Sequence, residues 1–311
     1  MTQLSAQSFE QVARSILDQN VTLDPGDSVL ILSDESTQDL AGRFLAGIRR
    51  VHGSGEIHVF PDRTRSGEEP PAEALQRLLR FDAVFCLTKH SLTHTAARKK
   101  SIEAGKLFIT MPGITEQMFT SGALTADYAR VERETAEMAE RLTRADEVVL
   151  HTGTDHALRV PVAGRDGIAS TGVYRGKGMG GNLPSGEAYL APLEYRANGT
   201  LEVNGSIAGI GLVDEPVVLT VEDGRLVSAT GATGARLLEL LGDGLGRQVA
   251  ELGIGTNHKA SLIGAILEDE KAYGTAHVAF GSNNTFGGTI AAGVHIDCVV
   301  AQPRIEWVPA L

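Results

Sequence analysis

Residues 28–33, Ser28-Val-Leu-Ile-Leu-Ser33, form a short apolar run entered from the turn-forming Asp24-Pro-Gly-Asp27. A run this short, rich in β-branched residues and bounded by Pro and Gly, reads as a buried strand. Before it, Phe9, Val12, Ala13, Ile16 and Leu17 recur at helical spacing. After it, the two patterns alternate. A helix is predicted over 37–51, a strand at Glu56-Ile-His-Val-Phe60, a helix over 72–79, a strand at Asp82-Ala-Val-Phe-Cys-Leu87, a helix over 96–104 and a strand at Lys106-Leu-Phe-Ile-Thr110. Strands separated by helices require crossover connections, and crossovers build a parallel sheet. A long amphipathic helix over 128–144, rich in Glu and Arg, closes this half.

Beyond Asp146 the character changes, and strand and hairpin signals crowd together. Residues 157–162 alternate, and 194–206 hold two Asn-Gly pairs, Asn198-Gly199 and Asn204-Gly205, which punctuate hairpins. Residues 216–221 and 225–228 flank Glu222-Asp-Gly224 as a further hairpin, 233–241 reads as a helix, and 276–280 and 294–300 read as late strands. The chain has 311 residues, beyond the roughly 250–300 at which a single core stops growing. The fold expected is therefore α/β: an N-terminal parallel-sheet α/β domain over 1–150 and a C-terminal α+β domain, rich in strands, over 151–311, with the boundary near 145–160.

Composition removes several function classes. Lys plus Arg number 28 against 39 Asp plus Glu, a net charge of −11, which offers no electrostatic footprint for nucleic acid or an anionic membrane. Two cysteines, Cys86 and Cys298, are too few for a disulfide framework or a cysteine zinc finger, and both lie in apolar strands. No apolar run reaches transmembrane length and residues 1–20 lack a signal-peptide core, so the cytoplasm is the expected location.

The chemistry points to the last strands. In Val294-His-Ile-Asp-Cys-Val-Val300 the two-residue period puts His295 and Asp297 on one face and Ile296 on the other. A carboxylate on an apolar strand needs a cationic partner: a metal, an Arg or a Lys. The tripeptide alone suits a metal ligand pair and a structural ion pair equally. His277, in the apolar Thr275-Ala-His-Val-Ala-Phe280, alone would be an ordinary core histidine; with His295 and Asp297 it completes a metal-binding set for zinc or ferrous iron. Glu187 and Glu251 stand among glycines and apolar residues, where a solvated carboxylate is less expected, although each alone reads as a polar loop residue. Glu270, in Glu268-Asp-Glu-Lys271, reads first as part of a solvated acidic turn. Three carboxylates and two histidines exceed one tetrahedral site and suit two metals, which polarise a carbonyl and acidify bound water. Divalent zinc, cobalt, manganese or iron all fit these donors.

Other motifs fail or are weaker. Gly176-Lys-Gly-Met-Gly-Gly181 satisfies G-x-G-x-x-G literally but does not open a helix, so no dinucleotide site is expected. No P-loop, nucleophile elbow or His-Glu-x-x-His occurs. His94, in Thr88-Lys-His-Ser-Leu-Thr-His-Thr-Ala-Ala-Arg98, follows a parallel strand, where α/β sites gather, and is a candidate base or substrate contact; a helix N-terminus capped by Thr93 or Thr95 explains the segment slightly better.

Four segments in order, Asn182-Leu-Pro-Ser-Gly-Glu-Ala-Tyr-Leu-Ala-Pro192, Glu251-Leu-Gly-Ile-Gly-Thr-Asn257, Gly274-Thr-Ala-His-Val-Ala-Phe-Gly281 and His295-Ile-Asp297, resemble the aminopeptidase T family of metallopeptidases. The resemblance is strongest over 180–300. It implies a two-domain α/β architecture, a homodimer, and a site of one or two divalent metals acting on a small-molecule or short peptide substrate. Carried over, Glu187, Glu251, His277, His295 and Asp297 are its metal ligands, and Glu251 or Glu270 moves the proton. The chain departs from the pattern where that family places a catalytic tyrosine, having Ser282-Asn-Asn-Thr-Phe286 instead. The scaffold is also similar to 2,5-dihydroxypyridine 5,6-dioxygenase, in which His277, His295 and Asp297 would hold Fe(II). A metal-binding protein without catalysis is the third reading.

Overall fold

The computed structural model describes residues 3–309; Met1, Thr2, Ala310 and Leu311, at the outer ends of the two expected domains, lie outside the described residues. The chain folds as two units. The first runs to Arg130 and includes Gly172–Ser185; the second comprises Val131–Thr171 and everything from Gly186 onward.

The first unit contains α1 (Gln3–Ser15), β1 (Val29–Asp34), α2 (Gln38–His52), β2 (Glu56–Phe60), α3 (Ala72–Leu78), β3 (Ala83–Leu87), α4 (Ala96–Glu103), β4 (Leu107–Thr110) and α5 (Glu116–Thr120). Every residue of β1, β3 and β4 is buried, as continuous apolar runs require of strands covered on both faces. All pairings are parallel, in the order β2-β1-β3-β4. Helix α6 (Tyr128–Thr143) begins in this unit and continues in the second.

Next come β5 (Ala145–Thr152), β6 (His156–Pro161), β7 (Ile168–Ser170) and β8 (Gly180–Asn182). Strand β8 joins the first unit's sheet in parallel beside β4. The Gly-rich run thus ends as an edge strand and opens no helix. The expected boundary at 150/151 cuts β5, which pairs with β6 from Glu147 to Thr152. Strand pairing places the division elsewhere, and the return of 172–185 makes it discontinuous, which no single cut along the chain can express.

The second unit continues with β9 (Glu187–Leu190), β10 (Asn198–Val203), β11 (Ser206–Ile207), β12 (Gly211–Leu212), β13 (Val217–Glu222), β14 (Arg225–Ala229), α7 (Gly231–Leu241), β15 (Val249–Gly255), α8 (Ile266–Asp269), β16 (Thr275–Gly281), β17 (His295–Ala301) and β18 (Arg304–Pro309). Its strands form a six-stranded sheet, β14-β13-β10-β6-β5-β18, and a seven-stranded sheet, β12-β11-β17-β16-β15-β9-β7. One core joins them: Leu150, Leu158, Leu201 and Leu219 of the first sheet pack in the same cluster as Leu252, Val278, Phe280 and Cys298 of the second. Asn198-Gly199 is no turn. Gly199 sits inside β10, paired with Leu158 and Val221, and a Cβ there would strike the backbone of Ala157. Close strand approach, not chain reversal, requires this glycine.

Candidate metal centre

The site lies on the face of the seven-stranded sheet opposite its core. Along β15, Leu252 and Ile254 enter the core, so Glu251, Gly253 and Gly255 take the other face; along β16, Ala276, Val278 and Phe280 enter the core and leave His277, Ala279 and Gly281. Ile296, Cys298 and Val300 of β17 and Ala188 and Leu190 of β9 do the same, which turns His295, Asp297 and Glu187 to the site. The register then sets the array. Ala279 stands opposite both Glu251 and Asp297, His277 opposite Gly253, His295 opposite Gly281, and Glu187 opposite Gly255. Each of these side chains therefore has a glycine or alanine across from it on one side, while His277 has Val299 and Glu187 has Ser170 on the other, and the small residues leave room for the long ones.

The consequence is tightest at His277. A Cβ on Gly253 would overlap Nε2 and Cε1 of that imidazole and lie 2.9 Å from Cδ2. Gly253 is thus the floor on which the ring rests.

The donors converge. His277 Nε2 lies 3.2 Å from Glu251 Oε1 and 3.5 Å from Glu187 Oε2. His295 Nε2 lies 3.5 Å from Glu251 Oε2 and 3.4 Å from Asp297 Oδ1. Among the described residues two groups of three donors fall within 4.8 Å: Glu187, Glu251 and His277, and Glu251, His295 and Asp297. Glu251 belongs to both and turns one oxygen to each histidine. Each group holds one histidine and two carboxylates. The triple of His277, His295 and Asp297, required by the dioxygenase reading, is not such a group among the described residues.

The two groups differ in exposure. The His277 side chain is 0 % exposed and that of His295 31 %, so the site is closed at one end and open at the other. At the open end His295 donates Nδ1–H to the Ser282 carbonyl at 2.8 Å. That bond fixes the ring and leaves Nε2 facing the carboxylates, the orientation of a ligating imidazole. Phe286 stands edge-on to His295, with centroids 5.9 Å apart, and edge-on to Tyr189. Its loop is built by buried Asn283, whose Oδ1 accepts from Ile290 N at 2.8 Å. Asn283 thus shapes the loop, and the Phe286 ring that the loop carries went unsuspected in the sequence.

At the closed end stands a residue the sequence reading passed over. The Lys271 ammonium is fully buried, 3.2 Å from Glu187 Oε1 and ion-paired with Glu270. The expected solvated acidic turn is in fact buried. Glu268 and Asp269 are 0 % exposed, and they accept from Ser261 N and Ile263 N at 3.2 and 2.7 Å. The only sequence sign was a lysine closing an acidic run, a pattern that usually marks surface.

Burial pushes the carboxyls of Glu251 and Glu270 up, that of Glu270 to about 8 despite Lys271 beside it. Asp297 goes the other way: burial pushes it up, but His295 above all, with His277 and Lys271, holds it to about 2. Burial opposes a charged His277 and His295, yet the carboxylates raise them to about 9 and about 10. Lys271 is raised likewise by Glu187 and Glu270 against its own burial. The field therefore favours positive charge throughout. An oxygen–nitrogen donor set of this composition, with inward-facing atoms and an oriented second imidazole nitrogen, fits a divalent cation.

His94 belongs to the first unit, is exposed, and is in neither donor group. The capping expectation holds through Thr95, which accepts from Arg98 N at 3.2 Å at the start of α4. Cys86 and Cys298 are buried free thiols.

The model of the thermophilic metalloprotease (M29) family matches residues 116–295, more than half of the chain. The chain belongs to that family and is thereby a metallohydrolase, a metal-dependent peptidase by class. Two solved structures have this fold along nearly the whole chain. The 2,5-dihydroxypyridine dioxygenase of Pseudomonas putida has a TM-score of 0.77 at 16 % identity, covering 97 % of this chain and 93 % of that one. AmpT from Thermus thermophilus has a TM-score of 0.68 at 19 % identity, covering 97 % and 95 %. A comparison with curated protein sequences gives no match. No helix among the described residues is long and apolar enough to cross a membrane.

Proposed function

We propose that the chain is an aminopeptidase-type enzyme that hydrolyses the amide bond of a short peptide or a peptide-like small molecule. One observation carries this reading: Glu251 offers its two oxygens to two different histidines, so that two donor groups share one carboxylate. On this reading Glu187, Glu251 and His277 would hold one divalent ion and Glu251, His295 and Asp297 another. Zinc, cobalt and manganese suit the donors. Such an ion, when bound, polarises a carbonyl and lowers the pKa of water beside it.

The remaining work falls to this chain's own groups. Both oxygens of Glu251 are engaged, so we assign proton transfer to Glu270, which is in neither donor group. Its carboxylate takes the proton of the attacking water and returns it to the leaving amine. Lys271 holds that carboxylate in place. Phe286 gives the open end an apolar wall against which a substrate side chain packs. A homodimer in a reducing cytoplasm completes the reading. The family resemblance supports the first part and two buried free thiols the second; sedimentation of the purified chain tests the dimer.

The decisive experiment uses full-length protein purified without chelator and loaded in turn with zinc, cobalt and manganese. Aminoacyl p-nitroanilides and dipeptides should be cleaved, and Glu251→Gln should abolish turnover while circular dichroism stays unchanged. No cleavage by metal-loaded protein, together with oxygen uptake on hydroxylated aromatics in the presence of ferrous iron, would replace this reading with the oxygenase one.

A further inference from the structure

The two donor groups are not equivalent, and Lys271 is what separates them. The buried group consists of Glu187, Glu251 and His277 and the open one of Glu251, His295 and Asp297. Glu187 is shared between two positive partners: its Oε1 lies 3.2 Å from Lys271 Nζ, and its Oε2 faces His277 at 3.5 Å. Glu270, a fourth carboxylate at the closed end, is turned to the same ammonium. The ammonium has no solvent exposure and its ion pairs go to these two carboxylates, so it stays between them when a metal arrives. Its charge adds to that of any ion in the buried group, at short range and away from water, where screening is weakest. Among the described residues no ion pair joins the open group to an ammonium: His295 pairs with Glu251 and Asp297, and Glu251 pairs also with His277. Lys271 reaches this group only as a lesser influence on the Asp297 carboxyl, behind His295 and His277.

We infer that Lys271 is a built-in counter-cation that makes the metal centre asymmetric: the open group, Glu251, His295 and Asp297, takes the tightly held divalent ion, and the buried group holds a second ion only weakly. The inference rests on the metal-centre reading above and specifies its stoichiometry. It makes Lys271 a positioning residue, acting through Glu187 and Glu270 and not on substrate.

The test is a zinc titration of full-length, chelator-stripped protein by calorimetry, with elemental analysis after equilibrium dialysis. Wild type should bind one zinc per chain tightly and a second at least tenfold more weakly. Asp297→Asn should remove the tight step, and Glu187→Gln should remove the weak one while leaving the tight one within threefold. Lys271→Gln should strengthen the weak step at least tenfold, and Lys271→Arg, which keeps the charge, should preserve the split. Two equally tight ions in wild type overturn the inference even where Lys271→Gln fails to fold. A Lys271→Gln chain that folds but binds the second ion no better also overturns it. Absence of any zinc binding overturns the metal-centre reading and this inference with it, whereas two equal ions leave that reading standing.

Discussion

Gly253→Ala is the smallest perturbation that interrogates the site. The new Cβ would overlap Nε2 and Cε1 of His277 and lie 2.9 Å from Cδ2, where ordinary contact begins at 3.4 Å. Clearing Cδ2 alone moves the ring by about 0.5 Å, and the nearer atoms must move further. Metal–ligand distances tolerate about 0.2 Å. The displaced imidazole therefore cannot complete the buried donor group; losing even an outer-shell partner of a ligand costs about 10- to 100-fold in metal affinity, and losing the ligand costs at least that. At about 1.4 kcal/mol per factor of ten, that is at least about 1.4–2.8 kcal/mol of binding free energy. Gly253 does not have a positive φ, so alanine meets no backbone strain there. Away from the ring it would stabilise the strand by about 0.4–1 kcal/mol through the unfolded state. The assay is the zinc titration with a parallel thermal melt. The weak, buried step should fall at least tenfold, and the melting temperature without metal should fall as well, since overpacking a buried site costs about 1–3 kcal/mol. A Gly253→Ala protein that binds zinc as wild type does would show that His277 is not held by that floor, and would remove it from the donor set.

Further outcomes follow from the same geometry. Glu270→Gln should lower kcat by about 10²–10⁴ and leave the metal content, read by elemental analysis, unchanged; an equal loss of metal would make Glu270 a ligand instead. Zinc at a hundredfold excess over its dissociation constant should stabilise the chain by about 2.7 kcal/mol, and a chelator should reverse the rise in melting temperature. Asp82 gives a pH signature away from the site. The Ser28 amide and hydroxyl, with Lys106, hold its carboxyl at about 2, below the ordinary 3.8. A depressed carboxyl contributes stability above the ordinary value and loses it as pH falls through 3.8 toward 2. After allowance for its partial exposure, Asp82→Asn should cost about 1 kcal/mol at pH 7. The difference from wild type in urea midpoint should shrink as the pH falls toward that held value.

The first unit was legible because its signals are local. Runs such as Val84-Phe-Cys-Leu87 are buried on both faces and need no partner to be recognised as strands. The second unit depends on what crosses between strands. Residues 249–255 carry Glu251 and two glycines, so the segment looks like a loop; it is a central strand because Ala276–Phe280 and Ala188–Leu190 pair on either side. Gly199 looks like a turn for the same reason, its glycine being required by a neighbouring backbone. His295 and Asp297 could be placed on one face because a two-residue period is written in the sequence. Lys271 and Phe286 could not, since a charge in an acidic run and an aromatic in a polar loop acquire meaning only from the residues they meet.

The glycines and the charges are two parts of one construction. A sheet face is an economical place to gather carboxylates and imidazoles, because the strands fix the spacing that their mutual repulsion would otherwise widen. It works because a small residue stands across from each on at least one side, as Gly253, Gly255, Ala279 and Gly281 do. Four carboxylates so gathered, Glu187, Glu251, Glu270 and Asp297, cannot all ionise without cations among them. Lys271 supplies one such charge permanently and the raised histidines supply more. Those imidazole protons occupy the nitrogens that a metal would take, so metal and proton compete for the same atoms and zinc affinity should fall as pH is lowered. The lysine does not exchange in this way. Its charge stays at the closed end at every working pH, whereas the proton on each histidine, His277 at the closed end and His295 at the open one, is the cation that a metal would replace.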